Sequence, residues 1–201
     1  MKSVVRTLAE LGEGLVLAPE RHLATDDAGE GAPLGDLVVE RNERVGPADL
    51  ANAIVVDTTH AKDGVLDLAG ATRDAPPAKS LKKRARAGDL IVSRLRPYLR
   101  QVALVTRDVA VSTEFYVLAP RSKDDDDLAY LVPFLLGART QATLAAAQEG
   151  GHHPRVPRTS LFAIRVPPDV VRARVKTSAE VRRALDALYR ADAAYRALLS
   201  E

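Results

Sequence analysis

Apolar residues in this chain come mostly in short runs rich in Val, Leu and Ile, separated by polar breaks that contain Gly or Pro. Short β-branched runs bounded by turn residues predict strands. From Pro33 onward, Leu34 to Val39, Ala53 to Asp57, Leu90 to Val92, Val102 to Val105, Val109 to Leu118 and Leu161 to Pro167 fit that pattern. Between them, Lys62-Asp63-Gly64-Val65-Leu66 places a D-G turn before an apolar pair, a hairpin signal. Gly88-Asp89 is a turn leading into Leu90, and Ala75-Pro76-Pro77 breaks the pattern ahead of a basic run. Upstream, Val4 to Leu11 predicts a short helix and Leu15 to Leu17 a brief strand. The acidic, Gly-containing segment Thr25 to Gly31 reads as a linker, which sets a boundary near residue 32.

Two stretches follow a helical period instead. Leu128 to Ala147 carries Leu131, Leu135 and Leu144 on one side, with Pro133 in its first turn or at a kink, and Gly150-Gly151 stops it. Asp124 to Asp127, just before it, is a run of carboxylates that favours a helix N-terminus and needs no metal ion. The tail, Pro168 to Glu201, is predicted as one long helix. Val181, Leu185, Leu188, Asp192, Tyr195 and Leu199 fall at spacings of 4, 3, 4, 3 and 4, the rhythm of a coiled-coil seam with one polar member, Asp192. Fully helical from Val170, it would extend roughly 45–50 Å, too long to bury against one small domain. Its seam is therefore expected to meet a partner. The alternative is a helix packed on its own domain.

The 201 residues suit one domain with a helical appendage, and 46% hydrophobic content supports a core built of aliphatic side chains, since aromatics are 4% and Trp is absent. The absence of Cys excludes disulfides, thiolate metal sites and Cys nucleophiles. No run has the ~18 apolar residues of a membrane span, and Met1 to Arg6 leads into Thr, Glu and Gly rather than an apolar signal core, so the expectation is a cytoplasmic protein.

Charge changes the picture more. Between Lys79 and Arg107 lie nine Lys or Arg and one acid, Asp89, a surplus of eight, while the whole chain is only +2. Subtracting eight from two leaves −6 for the rest. A field concentrated in one place points to a polyanionic partner, most simply nucleic acid. Lys79, Lys82, Lys83, Arg84 and Arg86 are the candidate phosphate contacts. Ser93, Arg94, Arg96, Tyr98 and Arg100 form a candidate reading loop between two strands. A second loop, with His152, His153, Arg155 and Arg158, comes after the Gly pair and suits phosphates and base edges. Adjacent His residues with no acidic or thiol neighbour do not make a zinc site. No methyltransferase [DNS]-P-P-[YFW] motif, phosphate-binding G-x-x-x-x-G-K-[ST] loop or G-x-S-x-G elbow occurs, so neither catalytic residues nor cofactors are expected.

In order, RAGDLIVSRLRPYLRQVALV, STEFYVLAP, LAYLVPFLL and EGGHHPRVPRTSLFAIRVPP, followed by a helical tail, resemble a target recognition domain of type I restriction–modification specificity subunits. Upstream, LGEGLVLAPERHLATD resembles the segment that joins an adenine-N6 methyltransferase domain to such a domain. The likeness covers Leu34 to the C-terminus. It implies an α/β (α+β) fold, a twisted sheet with flanking helices and a long coiled-coil-type helix. The expected division is 1–32 as linker, 33–168 as recognition domain and 169–201 as a docking arm. The family carries two recognition domains and two long helices, and this chain has room for one of each. The family's glycine-rich loop also usually holds Thr or Ser where His152 and His153 stand.

The expected function is non-catalytic recognition of double-stranded DNA within a restriction–modification or related phage-defence system. As the resemblance implies, the tail would dock an adenine-N6 methyltransferase subunit, with a restriction subunit as a further possible partner, or pair with a second copy. Two alternatives stand beside it. One is a protein adaptor whose basic stretch binds an acidic partner. The other is a small metal-dependent hydrolase or nuclease using Asp57, His60 and Asp63.

Overall fold

A computed structural model describes residues 30–50, 53–73, 80–122, 127–150 and 154–199. The upstream helix over Val4 to Leu11 and strand over Leu15 to Leu17 lie outside these residues. The first half runs β1 (Ala32–Pro33), α1 (Leu34–Leu37), β2 (Val38–Glu40), β3 (Arg44–Val45), β4 (Val55–Val56), β5 (Ala61–Lys62), β6 (Val65–Leu66) and α2 (Leu68–Arg73). Five strands then succeed one another: β7 (Lys82–Ala85), β8 (Leu90–Ser93), β9 (Val102–Leu104), β10 (Val109–Val111) and β11 (Phe115–Pro120). The remainder is α3 (Leu131–Leu136), α4 (Ala138–Ala146), α5 (Arg158–Ala163), β12 (Arg165–Val166), α6 (Pro168–Arg172) and α7 (Arg174–Leu198). The mixed α/β class is as expected.

The centre is a four-stranded antiparallel sheet in the order β2-β11-β8-β9. Side chains alternate across its two faces. Leu90, Val92, Val102, Leu104, Tyr116 and Leu118 join a core against α1, α3, α4, α5 and α7. Ile91, Ala103, Phe115 and Val117 join a second core with Val56, Ala85, Val109 and Val111. Those last four residues belong to the other four-stranded sheet, β3-β7-β10-β4. The central strands are therefore buried on both faces, which is why their sequence reads as unbroken apolar runs rather than as alternation. The D-G hairpin forms as expected: β5 pairs with β6, and Asp63 and Gly64 take the φ angles of 51° and 90° that its two-residue turn requires.

Several boundaries differ from the pattern. Leu34 to Val39 is a helical turn, α1, before it is a strand, because Leu34 and Val38 both reach the helix-side core, four residues apart on one face. The run from Val109 to Leu118 is not one strand. Phe115 N–H donates to Ser112 O across a turn, and the chain passes from one sheet to the other between β10 and β11. The helix over Leu128 to Ala147 divides at Gly137, whose backbone is extended, and Pro133 sits in the first turn of α3. Leu161 to Ala163 closes a short helix, α5, and only Arg165–Val166 is strand, since one helical turn suffices to bury Leu161. In these short runs apolar content does not separate helix from strand.

The tail bends at Ala173, and α7 then lies along the domain. Ser178 Oγ accepts from Tyr130 N–H at 3.1 Å, Leu66 N–H donates to the Tyr189 hydroxyl at 3.0 Å, and Leu185 is buried between them. Arg182 pairs with Asp127 through both carboxylate oxygens, at 2.7 and 3.0 Å. Burial alone would push the Asp127 carboxyl up, but Arg182 and the Ala129 N–H outweigh it and hold it below the usual carboxylate range. The expected seam is thus divided. Val181 and Leu185 pack into the chain's own core, Asp192 pairs with Arg196 at 2.7 Å, and Leu188, Tyr195 and Leu199 are exposed.

This arrangement can be checked at two positions. Leu185→Ala should lower unfolding free energy by about 2–3 kcal/mol, whereas Leu188→Ala, 45% exposed, should stay within about 0.5 kcal/mol, as read by chemical denaturation. The Asp127 contribution should be complete above the unfolded carboxyl pKa, about 4, and be lost as pH falls through the lower folded value. Asp127→Asn should therefore flatten the acid limb of the stability curve.

Candidate nucleic-acid interface

The first basic loop grows out of a braced strand. Asp89, almost fully buried, accepts from Arg86 N–H at 2.8 Å and from Arg41 Nε–H at 2.8 Å, so the acid of the Gly88-Asp89 turn holds the start of β8. At the other end of β8, Ser93 Oγ donates to Leu95 O at 3.0 Å and accepts from Leu95 N–H at 3.2 Å. These bonds turn the chain outward. A single 3-10 turn, Pro97–Leu99, forms the tip. Arg96 and Arg100 flank it in left-handed backbone, φ 43° and 55°. Such a conformation costs a non-glycine residue on the order of 1 kcal/mol and persists only where the surroundings impose it. One anchor is Arg100, which ion-pairs with Asp63 of the hairpin turn and donates to Leu136 O at 2.9 Å. Tyr98 stands 61% exposed at the tip. Among the described residues, Arg96 alone of the loop's arginines has no carboxylate partner.

The second loop is laid against the first. Leu95 and Arg155 form an antiparallel bridge, and Val156 N–H donates to Arg94 O at 2.8 Å. Below them the Tyr116 hydroxyl donates to Val156 O at 2.8 Å, tying β11 to the second loop. The two loops expected to act together, far apart in sequence, thus share one surface. His152 and His153 lie outside the described residues, as does Lys79.

Two carboxylates organise the cations there. Glu114 receives Arg155 in a side-on, two-bond pair, Nε at 3.1 Å and Nη2 at 2.9 Å, and lies 3.8 Å from Arg94 Nε. The Arg94 guanidinium also stacks over the Tyr116 ring, 5.7 Å from its centroid. Arg155 holds the Glu114 carboxyl below its usual range, against the effect of partial burial. Glu40 takes Arg158 Nε at 2.9 Å and Lys83 Nζ at 3.1 Å, while Arg158 lies over Phe162 at 4.1 Å. Three arginines, Arg94, Arg155 and Arg158, are thus held at one surface by Glu114 and Glu40, and Glu149 lies beside them, bridged to Arg155.

The basic run does not gather at this surface. Lys79 and Arg86 aside, it is strand β7, and alternation separates its members. Lys83 is buried and also donates to Phe115 O at 2.9 Å, so its ammonium is used inside the fold. Lys82 and Arg84 project from the opposite face, toward Asp57 at 3.2 Å and Glu43 at 2.9 Å, and Arg86 also meets Glu43 at 2.9 Å. Nor do Asp57, His60 and Asp63 converge. Asp57 and His60 cap a 3-10 turn reciprocally, Asp63 pairs with Arg100, and no cluster able to hold a metal occurs among the described residues. The sequence reading missed Glu40, Glu114 and Tyr116. Only the closeness of Glu114 and Tyr116 in STEFY, next to a strand, hinted at them.

No family model matches the chain, and no curated protein matches it in sequence. Solved structures do. A chain from a structure concerned with complex assembly and conformational transition of the type I R-M system superposes with a TM-score of 0.54 at 23% identity, over 84% of this chain and 44% of that one. The HsdS subunit from Thermoanaerobacter tengcongensis superposes with a TM-score of 0.52 at 23% identity, over 87% of this chain and 49% of that one. This chain therefore spans less than half the length of those it matches, and over that span its fold is the fold of an HsdS subunit.

Proposed function

We propose that this chain reads duplex DNA as the non-catalytic specificity component of a type I-like restriction–modification system, with residues 33–168 as the recognition unit and 169–201 as a docking arm. One observation carries the reading. Two arginine-bearing loops from distant parts of the chain are bridged at Leu95 and Arg155 into one surface beside an exposed Tyr98. Arg readily contacts guanine in the major groove, while phosphate contacts set position. Arg96, exposed beside the tip in left-handed backbone and without a carboxylate partner among the described residues, is the best placed to reach a base edge. Arg94, Arg155 and Arg158 line the surface behind it, and Lys82, Arg84 and Arg86 contribute to the more diffuse field. The likeness to a chain of a type I R-M complex supports another subunit of such a system as a partner, and the resemblance read in the sequence makes an adenine-N6 methyltransferase subunit on the arm the reading adopted. The exposed Leu188, Tyr195, Leu198 and Leu199 are among the residues of the arm left for it, or for a second copy, to cover.

Selection from duplexes of randomised sequence tests the proposal, with an enriched pool as the expected result. Arg96→Ala should then cost ~1–3 kcal/mol on the enriched duplex and much less on unselected DNA. Equal losses on both would make Arg96 a phosphate contact. Replacing Lys82, Arg84 and Arg86 together by Ala should weaken binding to every duplex alike, lowering the salt slope by roughly 0.9 for each phosphate contact removed. An unchanged slope would mean that their charge is neutralised by Asp57 and Glu43. If duplex DNA is not bound at all and an acidic protein is, the adaptor reading replaces this one.

A further inference from the structure

Glu114 is an acid at the centre of a surface proposed to bind a polyanion, which is the wrong sign for a contact residue. Its position is not accidental. The β8–β11 ladder pairs Ser93 with Phe115, and Arg94 N–H donates to Glu114 O at 2.9 Å, so the backbone sets Glu114 beside the root of the first loop. Its side chain then crosses to the second loop, engaging the Nε and Nη2 edge of Arg155 while staying 3.8 Å from Arg94. A guanidinium has five N–H donors in a rigid plane, and a side-on carboxylate takes two of them and fixes that plane. The edge formed by the two terminal nitrogens is the one that meets guanine end-on. A carboxylate also lowers the value of a loosely placed phosphate contact, because that contact must compete with an existing pair.

We propose that Glu114 is a specificity-determining positioning residue: it aims Arg155 and Arg94 toward base edges and withholds them from indiscriminate phosphate binding. The proposal rests on the DNA-reading function. It differs from a purely structural clamp in what happens when the charge is removed. A clamp that only holds the loops together would, once lost, weaken binding to all DNA. An aiming carboxylate would, once lost, release cations that bind phosphates anywhere while losing discrimination.

The test uses the full chain, a pool of duplexes of randomised sequence, and the pool enriched from it by the wild type. Glu114→Gln should bind the starting pool as tightly as the wild type or more so, with an equal or steeper salt slope. On the enriched pool it should lose about tenfold, within what one well-placed bidentate contact confers. Adding Arg155→Gln to Glu114→Gln should weaken binding to both pools alike and remove no further preference for the enriched one, because the two residues act as a unit in discrimination. Parallel losses on both pools in Glu114→Gln, an undiminished preference for the enriched pool, or a further loss of preference in the double variant would each overturn the inference while leaving the DNA reading intact. A wild type that binds and enriches no duplex overturns both. Should the amide variant unfold, Glu114→Asp takes its place. It keeps the charge but shortens its reach, and should lose preference for the enriched pool without gaining affinity for the starting pool; unchanged preference overturns the proposal.

Discussion

The antiparallel ladder between β8 and β11 is the constraint on which the rest depends. Its residues are sealed on both faces, helices on one side and the second sheet on the other. Each fully buried aliphatic or aromatic side chain contributes on the order of 2 kcal/mol relative to exposure, so register is strongly specified. A slip of β8 by one residue against β11 would move Ile91 to the helix side and Leu90 and Val92 to the sheet side. It would also separate Ser93 from Phe115 and pull Arg94 away from Glu114. Hydrophobic burial far from the surface thus decides which charged groups meet at it.

Electrostatics at that surface is arranged rather than merely positive. Lys83 and Arg158 share Glu40, and Arg155 and Arg94 share Glu114. Apart from the largely buried Lys83–Glu40 pair, these are partly exposed pairs that add little to stability, roughly a few tenths to 1 kcal/mol each. Their effect is on geometry, since a paired guanidinium stacked on Tyr116 or Phe162 has lost most of its rotamers before a ligand arrives. The low entropy cost of binding that results is the general advantage of a preorganised site.

The tail shows the same division of labour within one helix. Its first turns are held by Tyr130 and Asp127 and its middle by Leu66, and the packed stripe of Ser178, Val181, Leu185 and Tyr189 turns away from the heptad line after Leu185. A straight helix of 3.6 residues per turn cannot keep one heptad stripe against one surface throughout. Leu188, Tyr195 and Leu199 consequently emerge into solvent, together with Leu198.

By itself the sequence determined the elements whose signal is local. The D-G hairpin at Asp63-Gly64 depends only on turn backbone, the runs Leu90 to Val92 and Val102 to Val105 only on burial, and the Pro133 helix start only on a missing N–H. The ordered motifs around Gly88-Asp89 and Ser112 to Tyr116 were also enough to point to the fold. What a short apolar run becomes was not legible: Leu34 to Leu37 and Leu161 to Ala163 are helical because of what they pack against. Nor could net charge say where each cation points. Nine basic residues between Lys79 and Arg107 looked like one patch in sequence, yet strand alternation buries Lys83, turns Lys82 and Arg84 to the far face, and leaves Arg94 and Leu95 to meet Arg155 and Val156. That meeting is a contact between residues some sixty positions apart, created by ladder register and the sheet switch after β10, and such long-range pairing is the part of a fold that only the tertiary structure decides.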